Sequence, residues 1–193
     1  MSDTVLRTAR LDLRPLVAGD ADRLFAIHSD PEVMRYGSTP AWTERAQAVD
    51  KIEAGHREVA AGTHVRLAIV LRDEARLVGT CDLFAIDRPC RRAEVGYAID
   101  AAYWRRGLMA EAVSALIEHG FSALDLHRIE ADIDPRNVAS AAGLEKLGFV
   151  KEGHLRERWI VAGEVSDSVI YGLLRSDWIA RAGGRGIAAR RGS

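Results

Sequence analysis

Two arginines and a glycine stand where the chain passes from a strand-like pattern to a helical one. The segment Tyr103–Ala112 follows the apolar run Val95–Ile99 and opens a stretch patterned as an amphipathic helix. The first N–H groups of a helix lack intrahelical acceptors, and the helix dipole is positive there. These N–H groups can bind a phosphate or pyrophosphate. Gly107, which has no side chain, lets such an anion approach the backbone closely, and the charges of Arg105 and Arg106 attract it. An ordinary turn with two solvated arginines remains the alternative from this segment alone.

The composition is that of a globular protein with one sizeable core. The chain has 193 residues, 48% of them hydrophobic and 28% charged, with a net charge of −1. Because a nucleic-acid binder is normally basic, we expect no nucleic-acid partner. We also expect no membrane partner, since the sequence has neither a long apolar run nor a signal-peptide pattern. The late arginines lie among glycine and alanine, which predicts a domain over 1–180 and a flexible tail over 181–193.

Cysteine and histidine placement indicates no metal. The spacing of Cys81 and Cys90 fits no metal motif, and the six histidines show no ligand spacing. Two cysteines do not make a disulfide framework, which favours a reducing, cytoplasmic setting.

The elements that must position the anion site form a mixed α/β pattern. We predict helices from Asp20 to His28, Thr43 to Ala61, about Leu108 to Leu124 and Ala139 to Leu147. The predicted strands are Leu6–Leu16, Val65–Leu71, Leu77–Ile86, Ala93–Ile99, His127–Ile133, Phe149–Val161 and Ser166–Leu174. This order predicts a single α/β (α+β) domain with a mixed central sheet of about seven strands flanked by helices. The ligand crevice of such a sheet is expected near the end of the fourth strand.

Five segments, in this order along the chain, resemble the GNAT superfamily of N-acetyltransferases and its RimJ/RimL-like branch. They are Thr8–Pro15, Ala93–Ile99, Tyr103–Ala112, Asn137–Phe149 and an ending that contains Gly153–Arg156, Gly163, Asp167, Tyr171, Leu173 and Trp178. The resemblance covers nearly the whole chain before the tail. It implies a GNAT-like fold that is splayed after the fourth strand, with acetyl-CoA as co-substrate and no metal.

The family's phosphate motif, Q/R-x-x-G-x-G/A, aligns here with Trp104–Met109. Trp104 is usual for the branch, whereas Met109 replaces a small residue and narrows the expected approach to the pyrophosphate. The resemblance implies that acetyl-CoA is bound by Arg105, Arg106, Gly107, Leu108, Met109 and Ala110, largely through backbone N–H groups. It also implies a bulge at Tyr97, Ala98 and Ile99, whose free N–H groups would bind pantetheine and stabilise an oxyanion.

Glu94 has two interpretations. It is either a strand residue that faces solvent or pairs with Arg91 or Arg92, or the family's acidic residue that orders a water and deprotonates the amine. An α-amine has a pKa near 8 and a lysine amine near 10.4, so one carboxylate acting through water would suffice for an α-amine.

Asn137 and Ser140 are spaced i, i+3 at a predicted helix start. Asn137 is a good N-cap, and Ser140 then lies in the first turn. By resemblance, both face the crevice. Asn137 would bind the pantetheine arm or the acceptor, and Ser140 would bind the cofactor near its sulfur and protonate the departing thiolate.

The resulting hypothesis is an acetyl-CoA-dependent N-acetyltransferase in which a primary amine attacks the thioester directly, through a tetrahedral intermediate. By resemblance the acceptor is a protein N-terminal α-amine, with small-molecule amines left open. The region of Met34, Tyr36 and Trp42 is either core or the acceptor groove. The rival hypothesis is a non-catalytic acyl-CoA-binding sensor on the same fold. A homodimer is the candidate assembly.

Overall fold

Eight strands form one sheet in the computed structural model, which describes residues 4–181. They are β1 (Leu6–Arg7), β2 (Leu11–Arg14), β3 (Val65–Leu71), β4 (Arg76–Asp87), β5 (Arg92–Ile99), β6 (Arg128–Ile133), β7 (Val150–Val161) and β8 (Glu164–Leu174). Their order across the sheet is β1-β2-β3-β4-β5-β6-β8-β7. Within the described range β5 and β6 are the one parallel pair, and the other pairs are antiparallel.

Five α-helices flank the sheet in the described part of the chain. They are α1 (Ala21–His28), α2 (Pro31–Met34), α3 (Ala46–Ala60), α4 (Leu108–Ser122) and α5 (Val138–Leu147), and residues 175–181 are also helical. In the part of the chain that is described, no helix is long and apolar enough to cross a membrane. The predicted tail, apart from its first residue, lies outside the described residues.

The mixed α/β fold is confirmed, with three local corrections. The predicted strand Leu6–Leu16 is two strands, because the chain reverses at Thr8 and Leu6 pairs with Leu13. This raises the strand count from about seven to eight. Pro31 begins a short helix, α2, that is not among the predicted helices; proline is well accommodated in a first turn. Helix α3 begins at Ala46 rather than Thr43, whose N–H is accepted by the Gln47 side chain.

Helices cover both faces of the sheet, and the sequence of strand β3 shows why both faces must be buried. Its alternate residues Leu67 and Ile69 lie in the core beneath α4, while Ala68 and Val70 lie in a second core beneath α1 and α3. Side chains alternate across a strand, so an unbroken apolar run is needed where both faces are buried. The same alternation on β5 sends Val95 toward α4 and Glu94 to the opposite face.

Candidate active site

A cleft opens between β5 and β6 because these strands pair over three residues only. The pairing joins Arg92 to Arg128, Ala93 to Ile129 and Glu94 to Glu130. Beyond Glu94, β6 continues to pair with β8 on its other side as far as Ile133. The edge of β5 beyond Glu94 therefore has no strand partner on the β6 side within residues 4–181. This confirms the predicted splay.

The predicted bulge at Tyr97 to Ile99 is absent from the β4–β5 ladder. Its register is continuous from Gly79 opposite Ile99 to Phe84 opposite Glu94, and the irregularity lies between Phe84 and Asp87. The cleft therefore arises from the divergence of β6. The carbonyl of Ile99 already accepts a hydrogen bond from Trp104 Nε1 at 2.7 Å. This bond fixes the loop before α4 to the end of β5.

The loop before α4 has the geometry that the anion-site hypothesis requires. Gly107 is the N-cap of α4 and has φ +75°, a left-handed conformation that favours glycine. The 15-residue helix then begins with Leu108, Met109 and Ala110. The N–H groups of such a first turn have no intrahelical acceptor, and in the described structure no backbone acceptor from another element is assigned to them.

The two arginines of this loop differ in their contacts. Arg106 lies 5.0 Å over the Tyr103 ring, and its carbonyl accepts a hydrogen bond from Arg10. Arg105 is exposed and, among the residues described, has no hydrogen-bond or ion-pair partner. Its guanidinium is therefore free to meet an anion.

The start of α4 is held by residues about a hundred positions earlier in the chain. Glu111 accepts hydrogen bonds from the Thr8 hydroxyl at 2.6 Å and from the Arg10 backbone and side chain at 2.9 and 2.7 Å. Burial alone would raise the pKa of Glu111, but these hydrogen bonds outweigh it and lower the pKa. The resemblance pointed to both segments, but no sequence signal pairs Glu111 with Thr8 and Arg10.

The Met109 side chain, which the sequence predicts to narrow the approach to the anion site, packs against α5. A Cβ added to Gly143 of α5 would come within 2.5 Å of the Met109 methyl. The Met109 side chain is therefore packed between α4 and α5, while its backbone N–H stays in the first turn.

Tyr97 and Ser140 meet on the α4 side of the cleft. Their hydroxyl oxygens are 2.8 Å apart, and the Ser140 residue is only 8% exposed. Burial raises the pKa of Tyr97, against a smaller opposing effect of the Ser140 hydrogen bond. Asn137 acts as the predicted N-cap, because its Oδ1 accepts from the Ser140 N–H at 3.1 Å. Its Oδ1 is thereby engaged, which leaves the amide nitrogen as its donor.

Glu94 lies where β5 and β6 separate, on the face opposite Tyr97. Burial raises its pKa, and the nearby carboxylates of Asp132 and Glu130 raise it further. Glu130 is paired with Arg92 and Arg128. In the described structure Glu94 itself has no side-chain hydrogen bond, so the alternative of pairing with Arg91 or Arg92 is not borne out.

Two cavities differ in their relation to this cleft. One of about 230 Å³ lies beside Asp132 and is lined by Met34, Tyr36 and Trp159, on the side where the resemblance places the acceptor. Trp42 instead stacks on His28 at 4.4 Å. The other, of about 830 Å³, is lined by α3, the start of β3 and the end of α4 and contains none of the predicted site residues. No group of three potential metal ligands occurs within the described chain.

A mixed sheet that opens between β5 and β6, with the start of α4 beside the opening, is the arrangement expected of an acyltransferase of the GNAT type. Residues 10–150 match the model of the acetyltransferase (GNAT) domain, and the chain belongs to this family.

Relatives are similar over most of the chain. An uncharacterised N-acetyltransferase, p20, of Bacillus licheniformis is 37% identical over 90% of this chain and 97% of its own length. The ribosomal protein uS5-alanine N-acetyltransferase of Escherichia coli is 33% identical over 55% of each chain. The structure of Mycobacterium smegmatis RimJ in complex with CoA-disulfide superimposes with a TM-score of 0.83 at 22% identity, covering 91% of this chain and 89% of that one. The RimJ/RimL-like branch is thereby confirmed.

Proposed function

We propose that this N-acetyltransferase moves the acetyl group of acetyl-CoA to a primary amine, with a polypeptide N-terminal α-amine as the acceptor. The observation that carries the proposal is the arrangement around the β5–β6 opening. A carboxylate lies on one face, a hydroxyl pair on the other, and the start of α4 adjoins the end of β5.

The residues on the α4 side fit acetyl-CoA. The backbone N–H groups of Leu108, Met109 and Ala110 can donate hydrogen bonds to a pyrophosphate, and Arg105 supplies a free cation. The open edge of β5 beyond Glu94 offers backbone groups for the pantetheine arm, as an added strand would use them. Asn137 retains its amide nitrogen as a donor to the same arm.

Glu94 is suited to remove a proton from the amine. Its raised pKa makes it a stronger base than an ordinary glutamate, and it is not engaged by an arginine. Because an α-amine with a pKa near 8 is already partly neutral at pH 7, a single carboxylate acting through water is sufficient. This argument supports an α-amine over the more basic lysine side chain.

Ser140 is suited to protonate the departing thiolate. Attack of the amine nitrogen on the thioester carbon forms the C–N bond, and breakage of the C–S bond releases a thiolate that needs a proton. Ser140 is a hydroxyl donor on the cleft's α4 side. Free backbone N–H groups of the β5 edge would stabilise the oxyanion, so most of the acceleration comes from positioning and electrostatics.

An acceptor panel tests the proposal. The protein is incubated with acetyl-CoA and, separately, peptides with free N-termini, the same peptides with blocked N-termini, lysine derivatives and polyamines. Free thiol release and product mass are measured. We expect acetylation of free N-termini. Transfer only to polyamines or lysine would overturn the acceptor assignment, and acetyl-CoA binding without transfer to any amine would support the sensor alternative.

A further inference from the structure

We propose that Tyr97 is a positioning residue for Ser140: the Tyr97 hydroxyl donates to Ser140 Oγ and directs the serine proton toward the departing sulfur. The proposal rests on the proposed function, which assigns Ser140 as the proton donor. It adds a second side chain, carried by a different element, to the step in which the C–S bond breaks.

The geometry joins two elements that the sequence separates by 43 positions. Tyr97 is on β5 and Ser140 is in the first turn of α5, with 2.8 Å between their hydroxyl oxygens. Ser140 is held from its backbone as well, since its N–H donates to Asn137 Oδ1. Each hydroxyl has the other as its one side-chain hydrogen-bond partner within residues 4–181. The pair is therefore fixed before any ligand arrives.

The donor direction follows from acidity. A phenol has a pKa near 10 and is a stronger acid than an aliphatic hydroxyl, so the phenol donates and the serine oxygen accepts. With its oxygen engaged by Tyr97, Ser140 keeps its own proton for a third group in the cleft.

The proton balance is complete without another reactant. As the C–S bond breaks, the sulfur takes the Ser140 proton and Ser140 Oγ takes the Tyr97 proton. The proton that left the amine is passed through water to Glu94, which releases it to solvent, and the Tyr97 phenolate recovers a proton from solvent. A thiol has a pKa near 8.5, so donation from a phenol is uphill by roughly 1.5 pKa units before burial is counted. Donation from an unassisted serine is far more costly.

The chain offers a matched control. Tyr171 on β8 is also buried and also reaches α5, where its hydroxyl donates to Glu145 at 3.2 Å. This bond is made on the C-terminal half of α5, away from Ser140. Tyr171→Phe therefore removes a comparable strand-to-helix hydrogen bond without touching the proposed site.

Steady-state kinetics of Tyr97→Phe, Ser140→Ala, the double variant and Tyr171→Phe test the proposal, together with their melting temperatures and acetyl-CoA affinities. We expect Tyr97→Phe to lower kcat about tenfold to a hundredfold with the KM for acetyl-CoA nearly unchanged, because the interaction acts in the transition state. The double variant should be no slower than Ser140→Ala, since the two residues act as a unit. Tyr171→Phe should keep wild-type kcat.

Three results from the variants at the proposed site would each overturn the proposal, and a fourth comes from the control. They are wild-type kcat in Tyr97→Phe, wild-type kcat in Ser140→Ala, and losses that multiply in the double variant. Equal losses in Tyr97→Phe and Tyr171→Phe would assign the effect to packing of α5 and overturn it too. Failure of the proposed function has a different signature: the wild-type protein itself would transfer acetyl to no amine, and the Tyr97 proposal would fall with it.

Discussion

Glu94 is the residue whose charge state governs the pH dependence of the proposed reaction. Glu94→Gln removes the base with little change in shape. We expect kcat/KM to fall about a hundredfold near neutral pH, at the low end for a general base because a water relays the proton. The loss should shrink as pH rises through the pKa of the amine, which then loses its proton unaided. The check is a pH–rate profile of variant and wild type. A constant ratio across pH would assign Glu94 to structure.

Glu130 tunes Glu94 without contacting the proposed substrate. Its carboxylate helps to raise the pKa of Glu94, so the acid limb of kcat/KM should lie above the range of an ordinary glutamate. Glu130→Gln removes a like charge and frees Arg92, whose charge lowers the pKa of Glu94. We expect the acid limb to move to lower pH with the plateau rate retained. An unmoved limb, or one moved to higher pH, would contradict the assignment of Glu94 as the titrating base.

Substitutions at Gly107 can separate the effect of a negative charge on acetyl-CoA binding from the effect of a changed backbone conformation. A Cβ at Gly107 would meet only Arg10 Nη2, at 3.6 Å, so larger residues fit. The left-handed backbone costs an ordinary side chain about 1–2 kcal/mol, whereas Asn and Asp tolerate it better. Gly107→Asp places a charge where the pyrophosphate must lie, and Gly107→Asn is the neutral control.

Two like charges about 4 Å apart repel each other by roughly 1 kcal/mol in water and by roughly 4 kcal/mol near a protein surface. Calorimetry should therefore show acetyl-CoA affinity at least about tenfold weaker for Gly107→Asp than for Gly107→Asn, with both variants folded. Equal affinities would place the pyrophosphate elsewhere.

Strands β4 and β5 lie close together, and their spacing positions the edge of β5 that is proposed to bind the cofactor. A Cβ added to Gly79 of β4 would lie 2.3 Å from the Ala98 carbonyl and 2.8 Å from the Ile99 side chain. Backbone cannot yield as a flexible side chain does. Gly79→Ala should therefore cost about 1–3 kcal/mol of unfolding free energy and also weaken acetyl-CoA binding, because Ala98 and Ile99 must move.

Gly153 of β7 provides the control for Gly79. It is a strand glycine with no atom within 4 Å of an added Cβ. Gly153→Ala should leave both the melting temperature and acetyl-CoA affinity close to wild type. If Gly79→Ala behaves like Gly153→Ala, the strand spacing described for β4 and β5 is wrong.

Local signals in the sequence predicted the elements well. Strand β3 has the predicted bounds Val65–Leu71, and α4 begins at the predicted Leu108, since a continuous apolar run and a loop glycine are local features. The candidate loop and the placement of Asn137 as a cap followed from the same kind of signal.

Contacts between distant segments were not predictable. The Thr8–Glu111 and Tyr97–Ser140 hydrogen bonds join residues 103 and 43 positions apart. No periodicity encodes such pairs, because they depend on how strands and helices stack. The divergence of β6 was likewise implied only by the family resemblance, and its cause differed from the expected bulge at Tyr97 to Ile99.

At the scale of the whole molecule, we propose that both substrates meet at the β5–β6 opening. One core packs α4 and α5 on the proposed acetyl-CoA side, and a second packs α1 and α3 on the other face. The opening lies where pairing between β5 and β6 stops, and we propose that each face of the sheet delivers one substrate to it. The larger cavity lies apart from this opening.

A crystal structure of the protein with acetyl-CoA tests this central claim most directly. We expect the pyrophosphate on the backbone N–H groups of Leu108, Met109 and Ala110, and the pantetheine arm along the open edge of β5. We also expect the thioester sulfur beside Ser140, with its carbonyl carbon open to the Glu94 face. A pyrophosphate bound away from the start of α4, or a thioester outside the β5–β6 opening, would contradict the claim.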